Sequence, residues 1–430
     1  MLQISYIRQN TALVKERLAV KHFADLSVID RILETDEQVR KLKSETETIQ
    51  AAINATSKEI GMWMGKGEKT IAESKKQEVA QQKIMQQNLN QQLSNAEKIL
   101  LDELLKLPNL PHSSVPRGKS PEDNELVREN GIKPDLSSAA LPHWELIKQY
   151  DLVDFETGAK LTGSGFPLYK GRGAKLQRAL IQYFLDYNTA AGYTEYLPPL
   201  MVNEASAYGT GQLPDKEGQM YHVTVDGFYL IPTSEVPLTN IYRDEIIKES
   251  SLPVKMTAYT PCFRREAGSF GSDVRGLNRV HQFDKVEIVQ LVHPDKSYEV
   301  LEEMVLHVEK LLQSLELPYR ILRLCGGDMS FASALTYDFE VYSAAQKKWL
   351  EVSSVSNFET FQTNRMKTRF KPALQADRDG DNKTQLLHSL NGSSLALPRI
   401  VACLLENNQT ANEIHLPASL HKYFGAETIH

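Results

Sequence analysis

The stretch from about Val28 to Leu105 contains no proline and is rich in Glu, Lys and Gln, with apolar or small residues recurring at alternating spacings of three and four. Helix is the only regular state that fits such a period over that length. One seam runs through Ile32, Thr35, Val39, Leu42, Thr46, Ile49, Ile53, Thr56 and Ile60, and a second through Val79, Gln82, Gln86, Leu89, Leu93, Ala96 and Leu100. Between them Gly61-Met62-Trp63-Met64-Gly65-Lys66-Gly67 holds three glycines, which predicts a break. The expectation is an antiparallel hairpin of two helices of roughly 35 residues, about 50 Å long at ~1.5 Å rise per residue. Thr and Gln dilute both seams, which suits a surface to be presented more than a strong zipper. A dimerisation coiled coil or a structural strut are the plainer readings of the same pattern.

The linker Leu107-Pro108-Asn109-Leu110-Pro111-His112-Ser113-Ser114-Val115-Pro116-Arg117-Gly118 cannot continue a helix, because three prolines interrupt it. It marks a boundary: an N-terminal domain over 1–107 with its hairpin at about 28–105, a linker over 108–118, and a second domain over 119–430. A chain of 430 residues has room for two or three domains. No apolar run approaches the ~20 residues of a spanning helix, and the N-terminus lacks the pattern of a secretory signal, so the expectation is a cytoplasmic protein with no membrane partner. Cys262, Cys325 and Cys403 are odd in number and far apart, which excludes a disulfide framework and a Cys-x-x-Cys zinc pair; no zinc is expected. Residues 1–110 carry 16 Lys and Arg against 15 Asp and Glu, whereas the whole chain has 49 against 55, so a polyanion meets less repulsion at the arm than at the rest.

Beyond the linker the texture is mixed. Gly173 to Ala191 reads as an amphipathic helix, with further helices near 297–315 and 395–408. Phe228–Ile231, Val254–Tyr259, Asp284–Leu291 and Trp349–Val352 read as strands. Strands clustered without regular βαβ alternation, and without a Gly-x-Gly-x-x-Gly turn, predict an α+β fold with an antiparallel sheet flanked by helices and exclude a Rossmann nucleotide site.

Two segments carry chemistry. In Pro261 to Glu287 two strand-like pieces flank a loop rich in Gly and Arg, and a guanidinium fork there suits a phosphate chain. In Leu390 to Asn407 a run of small residues leads into a helix whose first turn holds Pro398 and Arg399; a fixed cation at the positive end of a helix is awkward unless an anion binds there. Taken singly, a solvated loop and a solvated arginine explain both.

These two segments resemble motifs 2 and 3 of class II aminoacyl-tRNA synthetases, and Gly192 to Val202 resembles motif 1. The seryl-tRNA synthetase family, in its bacterial form, is matched best: Thr233-Ser234-Glu235, Phe263-Arg264-Arg265-Glu266-Ala267-Gly268, His281 to Glu287 and Glu351-Val352-Ser353-Ser354-Val355-Ser356-Asn357 are similar to its signatures, in the same order, and the hairpin and linker resemble its N-terminal region. The resemblance implies a class II catalytic domain preceded by a helical arm, and a homodimeric ligase that activates L-serine with ATP and charges tRNA(Ser), with tRNA(Sec) left open as a second acceptor.

By residue matching, the resemblance implies catalytic roles for Arg264 and Arg399. It implies a serine site from Thr233, Ser234, Glu235, Arg264, Glu287 and Ser393. The implied ATP site comprises Arg264, Arg265, Glu266, Phe283, Glu351, Val352, Ser353, Ser354 and Arg399, with Mg²⁺ on Glu351 and Ser354. Ser394 and Pro398 stand where the family often has glycine, a difference expected to shift Arg399 slightly. A paralogue without activity is disfavoured by the retained Arg264, Glu266, Glu287, Glu351 and Arg399, a carrier-protein ligase by the long hairpin, and a purely structural coiled coil by everything after Val115.

Overall fold

The computed structural model describes residues 1–136, 140–266, 275–373 and 383–430; the Gly-rich part of the motif 2 loop, 267–274, lies outside the described residues. Two compact units are present, one made of Leu2–Ala19 and Phe23–Pro108, the other of Asn109–His430 with Met1 and Val20–His22.

The first unit contains the two long antiparallel helices, Val28–Gly65 and Lys69–Leu104. Every position of both predicted seams is buried or half-buried. The helix runs past Gly61, however, and ends at Gly65. A mid-helix glycine costs only about 1 kcal/mol, and the turn is set instead at Gly67, whose φ of +81° favours a residue without a Cβ. The densest apolar packing between the helices is Val39, Leu42 and Ala96 with Leu89, Leu93 and Leu100. Elsewhere polar links replace it: Gln86 donates to Gln50 at 2.6 Å, Lys43 pairs with Glu97 at 2.9 Å and Lys75 with Glu59 at 3.1 Å. Asp36 is buried beside the seam, a position the apolar spacing does not reveal, and is held by Arg8 at 3.2 Å and Arg40 at 3.1 Å. Two short helices, Ile4–Gln9 and Thr11–Val20, precede the arm and carry no strong period in the sequence.

The second unit is built on an eight-stranded sheet: β1 (Glu125–Asn130), β2 (Thr194–Glu195), β3 (Val254–Phe263), β4 (Gln282–Val292), β5 (Tyr319–Arg323), β6 (Leu335–Ser343), β7 (Lys348–Asn357) and β8 (His388–Ala396). The spatial order is β1-β5-β6-β7-β8-β4-β3-β2, antiparallel at every pairing except β2 with β3. The expected strands at 254, 284 and 349 are present and longer than the sequence indicates; β5 and β8, mostly buried along their length, carry no clear alternation, whereas β6 alternates as Leu335-Thr336-Tyr337-Asp338-Phe339-Glu340-Val341 and is an additional strand. The helices Gly171–Ala190, Ser297–Ser314 and Leu397–Asn407 agree with expectation to within two residues. They share one apolar core with the inward side chains of the sheet, such as Phe339 and Val341 of β6 and Val286 and Ile288 of β4. Thr336, Asp338 and Glu340 alternate away from that core, as a period of two requires. From Asn109 onward the linker is pinned to this unit: the Asn109 amide donates to the carbonyls of Ala332 at 2.9 Å and Phe358 at 2.8 Å.

Candidate active site

A cavity of about 680 Å³ opens at the ends of β3, β4, β7 and β8. It is lined by every residue that the family resemblance implied except Ser234 and Arg265. The Ser234 hydroxyl is fully buried and receives a hydrogen bond from Thr260 at 3.1 Å, so it serves the wall behind the cavity. Arg265 turns to the face of Tyr221, 5.7 Å from the ring centroid.

Strand pleating explains how distant residues meet. Phe283, Lys285 and Glu287 alternate along β4 and so face one way. Glu287 lies directly opposite Ser393 of β8. Two bulges then do what regular strands cannot. Glu351 and Ser354 are three positions apart, an odd spacing that would point them to opposite faces of a regular strand. The register passes from Phe339↔Ser353 to Glu340↔Glu351, leaving Val352 as the extra residue, so Glu351 and Ser354 stand opposite Glu340 and Asp338 and share a face. In the same way β4 pairs Lys285 with Ala396 and Glu287 with Ser393, a register shift that brings Ser393 and Ala396 to the same side just before the Leu397–Asn407 helix.

The deepest part of the cavity is strongly charged. Lys285 Nζ lies 2.5 Å from Glu287 Oε2 and 2.9 Å from Thr233 Oγ1, and the two charged side chains are 6% and 1% exposed. Thr233 Oγ1 also donates to Glu287 Oε2 at 3.3 Å. Glu235, on the same turn as Thr233, is buried; burial and then the nearby Glu287 carboxylate raise its pKa to about 7, against the opposing pull of Gln362, Lys285 and Arg264. Arg264 follows β3, its guanidinium 5.3 Å from the centroid of Phe283, and it forms no salt bridge among the described residues. Glu266 pairs with Arg279 at 3.2 Å.

Arg399 occupies the first turn of its helix with Pro398, as expected. Its Nε donates to the carbonyl of Asn278 at 2.9 Å and its NH1 to the carbonyl of Glu351 at 2.7 Å. Of the two residues that depart from the family pattern, Ser394 donates its hydroxyl to Asn188 at 2.9 Å, and Pro398 sits at the helix start, where it needs no hydrogen-bond partner. The Asn278 carbonyl is itself fixed by a ring of buried contacts. His143 Nδ1 donates to Glu406 at 2.7 Å, while His143 Nε2 accepts from the Leu277 amide at 2.9 Å. Gln346 bridges Glu406 at 2.8 Å and Asn278 at 2.8 Å. Burial pushes the Glu406 carboxyl up, but the donors His143 and Ser343 outweigh it and hold the group below its usual range. A Cβ on Gly276 would lie 2.4 Å from His143 Nε2, so this close approach requires glycine.

The Glu351 carboxylate and Ser354 hydroxyl offer hard oxygen donors at the cavity wall, and behind them Asp338 has a buried Oδ1 without a hydrogen-bond partner. Burial first, and then Glu351, raise the Asp338 carboxyl well above its ordinary value. The donor set suits Mg²⁺, which takes one or two protein oxygens and completes its shell with water and phosphate. Among the described residues no three-membered His, Cys, Asp and Glu cluster is present. No helix there is long and apolar enough to cross a membrane.

Sequence reasoning missed Lys285, Gln362 and the His143–Glu406 ring. Lys285 alone had a signal, because it shares the alternation of Phe283 and Glu287.

Comparison with known proteins gives a consistent result. Residues 1–111 match the seryl-tRNA synthetase N-terminal domain, and residues 221–408 match the tRNA synthetase class II core domain (G, H, P, S and T). The serine–tRNA ligase of Salinibacter ruber is 49% identical over 426 residues, covering 99% of this chain and 98% of the relative. That of Methylacidiphilum infernorum is 47% identical over 429 residues, covering 99% and 100%. Among solved structures, the seryl-tRNA synthetase from Pyrococcus horikoshii complexed with ATP superposes with a TM-score of 0.90 at 32% identity, covering 100% of this chain and 99% of the other.

Proposed function

The chain belongs to the seryl-tRNA synthetase family, and from that premise we propose how its own residues divide the work of a serine–tRNA ligase. The enzyme activates L-serine with ATP and passes the serine to the 3′-terminal adenosine of tRNA(Ser). One observation carries the assignment: Glu287, paired with a buried lysine, stands in register with Ser393 beside the Thr233–Glu235 turn. Such a pocket holds acceptors for an ammonium group and a hydroxyl within one dry space. An amino acid without the hydroxyl leaves buried polar groups unpaired, which costs several kcal/mol in sum and rejects alanine and glycine.

In the first step a carboxylate oxygen of serine attacks the α-phosphorus of ATP, the bond to the bridging β-oxygen breaks, and pyrophosphate leaves. No general base is required, since the carboxylate is already ionised near neutral pH. Arg264 bridges the serine carboxylate and the α-phosphate and offsets the charge that builds between them. Arg399 holds the γ-phosphate, exchanging its two carbonyl contacts for phosphate oxygens. Phe283 stacks on adenine and Glu266 accepts from the adenine amino group. Glu351 and Ser354 would hold Mg²⁺, which neutralises phosphate charge when bound. In the second step a ribose hydroxyl of the terminal adenosine attacks the serine carbonyl and AMP leaves.

Residues 1–107 serve tRNA through the arm, 108–118 link, and 119–430 catalyse. The motif 1 stretch supports a homodimer: within it Leu197 is 88% and Met201 49% exposed, apolar surface suited to a second copy. The test of the whole reading is serine-dependent ATP–pyrophosphate exchange run beside glycine, alanine and threonine. Exchange driven by one of those three and not by serine would overturn it. Charging assays with tRNA(Ser) and tRNA(Sec) decide whether the acceptor range is one tRNA or two.

A further inference from the structure

Gln362 lies on the short Phe361–Met366 helix, 127 residues from Glu235 in sequence, outside every motif described above and only 1% exposed. Its Nε2 donates to Glu235 Oε1 at 2.5 Å and to the carbonyl of Thr210 at 3.2 Å. Its Oε1 accepts from the Ser389 hydroxyl at 2.7 Å. Because a backbone carbonyl can only accept, the Thr210 contact fixes which end of the amide carries the N–H groups. The amide cannot turn its oxygen toward Glu235 without placing two acceptors against each other.

The charged groups that face Glu235 are Glu287 and Lys285 on β4 and Arg264 beyond β3. Lys285 is already committed to Glu287 and Thr233. Gln362 is therefore the short-range donor that remains for Glu235 among the described residues.

We propose that Gln362 is a positioning residue for amino-acid recognition: its fixed N–H holds Glu235 in the orientation and charge state that receive the ammonium group of the substrate. This rests on the assignment of Glu235 as the ammonium acceptor. The sign of the effect follows from electrostatics. Only the carboxylate attracts an ammonium group, and a carboxyl raised to about 7 is partly protonated at neutral pH. The donor favours the charged form, so its removal raises the carboxyl further and shifts productive serine binding to higher pH. A hydrogen bond to a charged group corresponds to about one pH unit or somewhat more.

The experiment measures the KM for serine and for ATP in pyrophosphate exchange from about pH 6 to about pH 9, a range that brackets the raised carboxyl. The wild-type enzyme, Gln362→Met, Ser389→Ala and Glu235→Gln are compared. In the wild type the serine KM rises as pH falls through the neutral range. In Gln362→Met the same rise is expected about one unit higher, with serine binding restored at alkaline pH and the KM for ATP unchanged. Ser389→Ala removes one atom and loosens the same amide, so it moves the profile the same way by less and keeps the test available if the methionine variant is unstable. A serine KM raised equally at all pH values, or an unmoved profile in both variants, overturns the proposal and leaves Gln362 a packing residue. The Glu235→Gln arm separates the two levels: a normal serine KM there overturns the assignment of Glu235 itself.

Discussion

Replacing Lys285 by methionine keeps the length of the side chain and deletes its charge. The variant strands Glu287, which is 1% exposed and loses its partner at 2.5 Å, and it leaves Thr233 without the donor at 2.9 Å. Breaking a buried pair by removing one member typically costs about 3–5 kcal/mol. A stranded carboxyl has an escape, since it can take up a proton. At pH 7, for a carboxyl of ordinary pKa near 4.3, that costs about 3.7 kcal/mol, which sets a ceiling on the electrostatic part. The ceiling falls by about 1.4 kcal/mol for each unit of acidification, to about 1 kcal/mol at pH 5. The loss of stability relative to wild type is therefore expected to be about 3–4 kcal/mol at pH 7 and to shrink markedly at pH 5, read from urea transitions of the catalytic unit run in parallel. Serine activation is expected to fail in the same variant, because Glu287 and Thr233 both lose the donor that holds them in place in the pocket. Adding Glu287→Gln to Lys285→Met removes both charges and should recover most of the stability without recovering activity. Equal stability of variant and wild type at pH 7, or a deficit that does not change with pH, would refute the reasoning.

Arg264→Ala is expected to lower serine activation at least ~100-fold, the scale of one lost preorganised partner of the transition state, with the urea transition unchanged; a near-normal exchange rate would sink the role. Deleting residues 30–104 and closing the gap with a short loop should leave serine-dependent exchange nearly intact and abolish most tRNA charging, and wild-type charging by the folded truncation would make the arm merely structural. Glu351→Gln should raise the magnesium concentration needed for half-maximal exchange by roughly tenfold and weaken Mn²⁺ binding in the presence of ATP, measured by electron paramagnetic resonance; unchanged metal affinity would remove Glu351 from the site. Light scattering at micromolar concentration should give the mass of a dimer, and a fully active monomer would contradict the reading of Leu197 and Met201.

How legible all of this is in the sequence depends on the range of the interaction that decides each feature. The arm is readable because its two seams, Ile32 to Ile60 and Val79 to Leu100, each repeat over many turns, and local periodicity accumulates. Its turn falls within the expected Gly61–Gly67 break but at the far end of it, because the cost of one glycine is small beside the helix that continues through Gly61, and the left-handed backbone at Gly67 makes the stop. The motif residues are readable through resemblance, but the faces they occupy are not. That Glu351 and Ser354 share a face depends on a bulge, which arises from the register of pairing with β6, and the sequence does not reveal which strands pair or in what register. Gln362 gives no signal at all, since a buried glutamine on a six-residue helix has the same local pattern as an exposed one. Its meaning comes only from Glu235, Thr210 and Ser389, brought to it by the folded sheet.

The ring that seats Arg399 has a consequence for how such a chain can be inherited and altered. His143 and Glu406 are 263 positions apart, yet neither is safe without the other. A change at His143 alone leaves a buried carboxylate short of one donor, a loss of about 1.5–3 kcal/mol that is a large share of the stability of a marginally stable protein. A change at Glu406 alone leaves the imidazole without its acceptor and lets the Leu277–Asn278 backbone drift, so that a substitution nowhere near the nucleotide shows itself as a defect in handling ATP. Lineages are then expected to keep the pair together or to exchange both at once for an apolar couple. A single unmatched replacement at either position, in a healthy strain, should be accompanied by a compensating one at Gln346 or Ser343.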